Sequence, residues 1–239
     1  MTASIYSTVK YLVDKYDLTP FFKAAKPQRM CDPLEHTTLA SGTAREHLPG
    51  LVSGTLSAEG FFDASTGGSE DVLRTALGSA TKKITTVFDD NSVGSEAKLL
   101  NADETKYAST IQPAQLKQIN GEFVSNDGGI ESGVVLHELK AETATGSSAS
   151  VDNSAASTNG GVAHLHVTAI SGAGASITVK VQHSVDGSTW VDLVTFTAAT
   201  ATTQERIEVT GTVYEFLRAT RAMSGTTPSV THAVAFARR

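Results

Sequence analysis

The clearest chemical spacing in this chain is the pair His164 and His166. An H-x-H pair on a β-strand turns both imidazoles to one face, where they can share a metal ion. His183 and His232 fall in neighbouring strand candidates and are the residues that would complete such a site. A solvated strand face carrying unliganded histidines is the plainer expectation, because the pair alone leaves a tetrahedral set incomplete. Trp190 follows a hairpin-like stretch, His183 to Thr189. Exposed, it is a platform on which a sugar ring could stack, which makes it the candidate ligand residue of this half. Buried, it is core, the expected place for the single Trp of a small sandwich. Cys31 has no activating neighbour beyond Arg29, and as the only cysteine it excludes an internal disulfide. A G-x-S-x-G elbow, a GK[ST] phosphate loop, an H-E-x-x-H pair and a C-x-x-C pair are all missing from the sequence. The expectation is a chain that is not an enzyme, with no catalytic residue and no cofactor.

The totals narrow the class further. Net charge is -6 over 239 residues, and the first 140 hold 13 basic against 18 acidic side chains. A surface built to grip phosphate needs clustered Lys and Arg, so duplex DNA is at most a passing neighbour. Lys82-Lys83 and Arg238-Arg239 are too short to form a nucleic-acid footprint. Only 18% of residues are charged, and Thr, Ser, Ala and Gly are abundant, which suits sheets and tight turns. The segment MTASIYSTVKYLVDKYD has charges where a signal peptide needs an apolar centre, and no run nears the length of a membrane span. A soluble chain with no membrane insertion is expected.

The elements follow from periodicity. Residues 5–13 predict a strand. Residues 55–62 alternate, with Leu56, Ala58, Gly60 and Phe62 on one face. Phe61 and Phe62 therefore point to opposite sides, one toward the core and the other toward the helix, or toward a neighbouring subunit. A short helix is predicted over 69–78, with Ser69 as N-cap, Glu70 and Asp71 in the first turn, and Gly78 as the stop. Residues 30–50, with Pro33, Gly42, Pro49 and Gly50, read as a long irregular loop. Further strands are predicted at 83–88, 95–100, 116–124 and 132–139, the last two separated by the turn Asn126-Asp127-Gly128-Gly129. The stretch 143–160 is rich in Ser, Ala and Thr without apolar periodicity and reads as a linker or mobile loop. Beyond it, 163–169, 177–183, a strand opened by Trp190, 205–210, 214–223 and 229–236 predict a small antiparallel sandwich. The division is thus 1–142, a linker at 143–160, and 161–239.

The stretch from His47 to Gly78, HLPGLVSGTLSAEGFFDASTGGSEDVLRTALG, resembles the core of the major tail tube protein of long non-contractile-tailed bacteriophages. Its anchors are Tyr16-Asp17-Leu18-Thr19-Pro20, Pro49-Gly50-Leu51, Gly60-Phe61-Phe62-Asp63, Asp71-Val72-Leu73 with Ala76-Leu77-Gly78, and Gly133-Val134-Val135-Leu136-His137. The second half resembles an Ig-like or jelly-roll-like β-sandwich appended to some such proteins. The resemblance implies a mainly β fold: a tail-tube sandwich or barrel with one flanking helix, and an outward C-terminal sandwich. It implies a virion protein of the tail, assembled in the host cytoplasm, whose copies form six-membered rings that stack into the conduit for genomic DNA. The implied partners are other copies, the tail terminator, tape measure and distal tail proteins, and double-stranded DNA in transit. Candidate inter-subunit residues are Tyr11, Leu39, Leu48, Pro49, Leu51 and Phe61. The rival expectation is a carbohydrate-binding or adhesion sandwich, on the virion surface or secreted, acting through Trp190.

Overall fold

A computed structural model describes residues 8–126 and 129–239. Residues 5–7 of the first predicted strand and Asp127–Gly128 of the predicted turn lie outside the described residues. The fold is mainly β, as expected, and every strand pairing described is antiparallel. In chain order the strands are β1 (Lys10–Val13), β2 (Tyr16–Asp17), β3 (Phe22–Glu35), β4 (His47–Phe61), β5 (Lys83–Phe88), β6 (Glu96–Thr110), β7 (Gln118–Ser125) and β8 (Glu131–Glu142). They continue as β9 (Gly146–Ser147), β10 (Val151–Asp152), β11 (Gly161–Ser184), β12 (Val191–Thr195), β13 (Thr203–Val209) and β14 (Phe216–Arg238). One helix, α1 (Ser69–Ala76), lies between β4 and β5.

The helix forms where expected, with its apolar Val72, Leu73 and Ala76 buried and Gly78 in the left-handed region at φ 70°. Its N-cap is Gly68 rather than Ser69. The Ser69 hydroxyl instead ties the helix start to β4, donating to the Phe61 carbonyl at 2.7 Å and accepting from the Asp63 amide at 2.9 Å. Burial along β4 matches the predicted alternation from Gly54 to Gly60.

The larger departure is in the second half. Residues 163–169 and 177–183 belong to one strand, β11, and the predicted 214–223, from Phe216 on, and 229–236 to another, β14. The two pair along most of their length, with irregularities between Val167 and Ser176. There the ladder turns a corner. Gly172 and Gly225 both sit at φ 109°, a conformation that side chains resist. Beyond the corner the ribbon comes back over itself, so that Ala163, Leu165 and Val167 share one core with Ile177, Val179 and Val181 from the same strand. Strands that change sheets at bulges form sandwiches in this way.

The near half of this ribbon does not stop at the second sandwich. β14 lies between β11 and β8, and the path continues through β6, β5, β1 and β2. This sheet curls. One face buries Leu12, Phe88, Ala97, Leu99, Val135, Val162, Ala233, Ala235 and Ala237, drawn from both sides of the predicted linker. A second core, beneath α1, joins β1 and β5 to β4 and β7 through Val13, Val87, Leu56 and Phe123. The stretch 143–160 is not a free joint either: β9 pairs Thr220–Arg221 and β10 pairs Phe216–Leu217. Strand pairing and the core of Leu12, Val162 and Ala235 thus cross the expected division between 1–142 and 161–239, while the core beneath α1 belongs to the first half alone.

The curled sheet is sealed by histidines. His164 and His166 are fully buried, not on a solvated face. The His166 Nδ1–H donates to the Asp14 carbonyl at 2.5 Å, so its Nε2 accepts from the Thr86 hydroxyl at 2.8 Å. Thr86 in turn accepts from His164 Nδ1 at 2.9 Å. This relay spans β11, β5 and the β1–β2 turn, and in it His166 is neutral, since its Nε2 accepts. Burial holds His164 well below its ordinary value and His166 at about 4. On the other side of β14, His232 stacks on His137 with ring centroids 4.1 Å apart, and burial lowers it to about 3.

Two tests follow from this arrangement. A chain stopped at Glu142 lacks β14 and exposes the inner face of β8. It should be insoluble or melt without cooperativity; a cooperative melt would restore the two-part division. The second concerns acid. A histidine lowered from 6.5 to about 4 binds its proton more weakly folded than unfolded, so stability is complete above 6.5 and falls as pH drops through that window. Glu104, raised by burial to about 8, pulls the other way, against several histidines. The Tm should drop between about pH 7 and about pH 4.5, and less steeply in His166→Gln, whose amide oxygen can still accept from Thr86. Identical slopes for the two proteins would remove His166 from the account.

Candidate functional site

The sequence between Phe22 and Phe61 builds a ribbon rather than the loop expected over 30–50. β3 and β4 pair from Phe22↔Gly60 out to Glu35↔His47. Pro33 and Pro49 read as part of an irregular loop, but among the described residues β3 pairs with β4 alone and β4 at Pro49 with β3 alone, and proline is tolerated on an edge strand. β4 also pairs β7, yet only from Thr55 to Phe61. From Ser53 outward no other strand among the described residues joins the ladder. The root of this free part is fixed by Gly54, where a Cβ would lie 2.7 Å from the Ile130 amide nitrogen. Any side chain there would lever the ribbon off the body.

The free part is apolar on its surface. Met30, Leu34, Leu48 and Leu51 are all more than half exposed, Leu51 at 81%, and Leu39 at the tip is fully exposed. A two-stranded ribbon with no sheet behind it is marginal in water. Contiguous exposed apolar groups on such an element mark a docking surface. Its free edge is guarded at the same time. Pro27 and Pro33 offer no N–H, and Lys23, Lys26 and Arg29 line β3. Those are the features that prevent sheet extension, so a partner must meet the side chains rather than lengthen the ladder.

Of the residues singled out from sequence, Leu39, Leu48, Pro49 and Leu51 lie on this ribbon and are exposed, and Phe61 is exposed at the other end of β4. Tyr11 is a correction. It is 2% exposed, packs edge-on against Phe22 at 5.1 Å, and belongs to the core under α1, so it is out of reach of another subunit. Strand alternation would have placed it inward with Val13. Met30, Leu34 and Val52 join the ribbon surface and were missed, because a region read as loop carries no facing pattern to search. Cys31 is exposed on the ribbon.

The chemical candidates separate. His164 and His166 turn their inner nitrogens to Thr86, not to a shared ion. His183 stacks on Tyr214 and His232 on His137, so neither completes the pair. Among the described residues no group of three or more His, Cys, Asp or Glu could hold a metal ion. Trp190 is a second correction: it is half-buried just before β12 and belongs to no core cluster. The Arg218 guanidinium lies over its ring at 4.1 Å, itself held by Gln182 through two bonds of 3.0 and 2.8 Å. That ring face is taken from any sugar.

No protein-family model matches the chain. No curated protein matches it. Among solved structures, the tail of an empty gene transfer agent particle, refined with C6 symmetry, is 17% identical at TM-score 0.39, over 50% of this chain and 92% of that one. The virion of the native gene transfer agent particle is 15% identical at TM-score 0.38, over 47% and 84%. The Dit protein of phage SPP1, a hub of the adsorption apparatus in phages infecting Gram-positive hosts, is 14% identical at TM-score 0.38, over 97% and 99%. At TM-scores this low the likenesses decide neither fold nor function for this chain.

Leu34 and Leu51 are more than half exposed on the ribbon, so their removal should leave the single chain nearly as stable as before. Leu34→Ser and Leu51→Ser should each shift unfolding free energy by no more than about 0.5 kcal/mol in a urea titration. A loss of about 2 kcal/mol or more would mean the ribbon packs on its own body.

Proposed function

We propose that this chain is a structural subunit of a bacteriophage tail, of the tail tube type, whose copies join into rings, six to a ring, that stack into a conduit for DNA. The observation that carries the reading is the apolar ribbon of β3 and β4, projecting past its sheet with its ladder edge guarded. Exposed apolar groups on such an element suit contact with another protein surface. The identity of that surface is supported by the sequence resemblance around His47–Gly78. The body behind the ribbon suits a load-bearing role, because its two halves share one sheet and one core.

The charge balance supports passage of DNA rather than capture. An acidic or neutral wall releases no counterions on contact with duplex, and so does not hold it. The tail terminator, tape measure and distal tail proteins are the partners that follow from the same reading, at the two ends and in the lumen of such a tube.

Negative-stain electron microscopy of the purified full chain tests the reading. Rings or tubes are expected at high concentration, and Leu51→Glu should remain a folded monomer under the same conditions. A wild-type chain that stays monomeric however concentrated, even when tail proteins that set tube length are added, would sink it. A tube that binds duplex DNA tightly at low salt would sink the conduit part alone.

A further inference from the structure

The core beneath α1 holds a carboxyl group with no protein partner among the described residues. Glu104 of β6 is 4% exposed, and neither of its oxygens meets a donor. The strand period puts it there: Leu100 and Ala102, four and two residues earlier on β6, line this core, and Glu104 turns inward with them. Phe123, its neighbour across the ladder on β7, lines the core as well. Gly121 lets the helix close over the same spot. A Cβ there would lie 3.1 Å from Leu73 of α1 and 3.4 Å from Glu104 Oε1. The carboxyl therefore sits at the foot of α1.

Its surroundings do little for a negative charge. Lys83 of β5 supplies the cation that acts on it, but that ammonium is already engaged by Asp14 at 3.3 Å. From β1 comes the buried Tyr11 hydroxyl, and from β6 itself Tyr107, which donates to Glu70 on α1. Arg74 of α1 meets Glu70 at 3.5 Å. From β4 and β7 the inward residues are Leu56, Ala58, Gly121 and Phe123, all neutral. An ionised carboxylate in such a place needs water, and one covering element can yield to admit it. β6 is tied to β5, β7 and β8 by ladders. α1 has eight residues, too few to be stable unsupported, and it rests on β6 and β7 through Val72, Leu73 and Ala76. Gly67 at φ 78° and Gly78 at φ 70° flank it, so the chain turns sharply on either side.

We propose that α1 is a lid that lifts from β6 and β7 when Glu104 gives up its proton, so that rising pH opens the core beneath it. The device is complete within one chain and does not depend on assembly. Solvated under a lifted lid, Glu104 returns to the ordinary 4.5; covered, it keeps its proton to about 8. The closed form therefore binds the proton more tightly than the open one. Closure is fully favoured below 4.5, weakens about tenfold per pH unit as pH rises from there to about 8, and then levels off. The histidines of the curled sheet act with the opposite sign, and none of them touches α1.

Amide hydrogen exchange of the full chain tests this, read as protection factors so that the intrinsic pH dependence of exchange drops out. The Val72 amide donates to the Gly68 carbonyl and the Leu77 amide to the Leu73 carbonyl, both at 3.1 Å, and these two report on the lid. Their protection should fall by about a hundredfold or more between about pH 5 and about pH 8. In Glu104→Gln, which keeps the shape of the neutral acid, it should stay flat; Glu104→Met serves the same purpose if the amide is not tolerated. At pH 8 the two amides should also be less protected than those of β11 and β14. A second readout is trypsin at pH 8, which should cut after Arg74 faster in the wild type than in Glu104→Gln. Wild-type protection that does not change with pH would overturn the proposal, and so would equal slopes in wild type and the neutral variants. Protection in α1 equal to that of β11 and β14 at pH 8 would show the chain opening only as a whole, and would overturn the lid as well.

Discussion

The insertion of β14 between β8 and β11 is the constraint from which the rest of this structure follows. One face of the inserted strand supplies Val230, Val234 and Phe236 to the core of the folded-over ribbon. The other supplies Ala233, Ala235 and Ala237 to the curled sheet. The alternation of bulky and small is what lets one strand serve two cores of different depth. Alanines on the inner face leave room for Leu12, Phe88 and Leu99 arriving from the other half. A sheet this curled brings β11 back toward β5, and there the two strands meet through polar groups. Thr86 is shared by two imidazoles, and the chain of donors ends on a backbone carbonyl, so the seam is satisfied except at His164 Nε2.

The body and the ribbon obey opposite rules. In the body most large apolar groups are buried, Ile111, Leu116 and Val185 being among those exposed, and buried polar groups are mostly paired, with Glu104 and the Tyr11 hydroxyl as unpartnered exceptions under α1. Burial raises Glu104 to about 8, so it is largely protonated near neutral pH, the form that costs least to bury. In the ribbon the pattern inverts, with leucines outward and prolines where a ladder would otherwise grow. A rigid body makes such an arm worth having, since an arm on a yielding base would lose in ordering what it gains in contact.

Much of this was legible from residues. Strands whose one face is buried announced themselves by alternation, as at 55–62, and the helix by its acidic first turn and terminal glycine. What stayed hidden has physical causes. Glycine and serine at 171–176 look the same in a tight turn and in a bulged corner, so two long strands read as four short ones. Pro33 and Pro49 look like breakers until the strand is known to be an edge. The histidine pair looked solvated because its partner, Thr86, lies 80 residues from His166. Ser/Ala/Thr composition at 143–160 carries no apolar signal, yet the backbone there still pairs with β14. Trp190 was weighed between core and open platform, and a stacked arginine is neither.

The order of strands along the chain sets a clock. β8 ends at Glu142 and the part of β14 that pairs with it begins at Val230, so nearly ninety residues separate a strand from the neighbour that covers it. At ribosomal speeds of about 5 to 20 residues per second, β8 waits roughly 4 to 18 s with an edge unpaired. Over that interval the inner faces of β1, β5 and β6 are open as well. A nascent chain in this state is most at risk of misassociation just when the ribbon, already made, is seeking a surface. Conditions that slow translation, or rare codons between Glu142 and Val230, would lengthen the exposure, and a chaperone that holds apolar surface would matter most there.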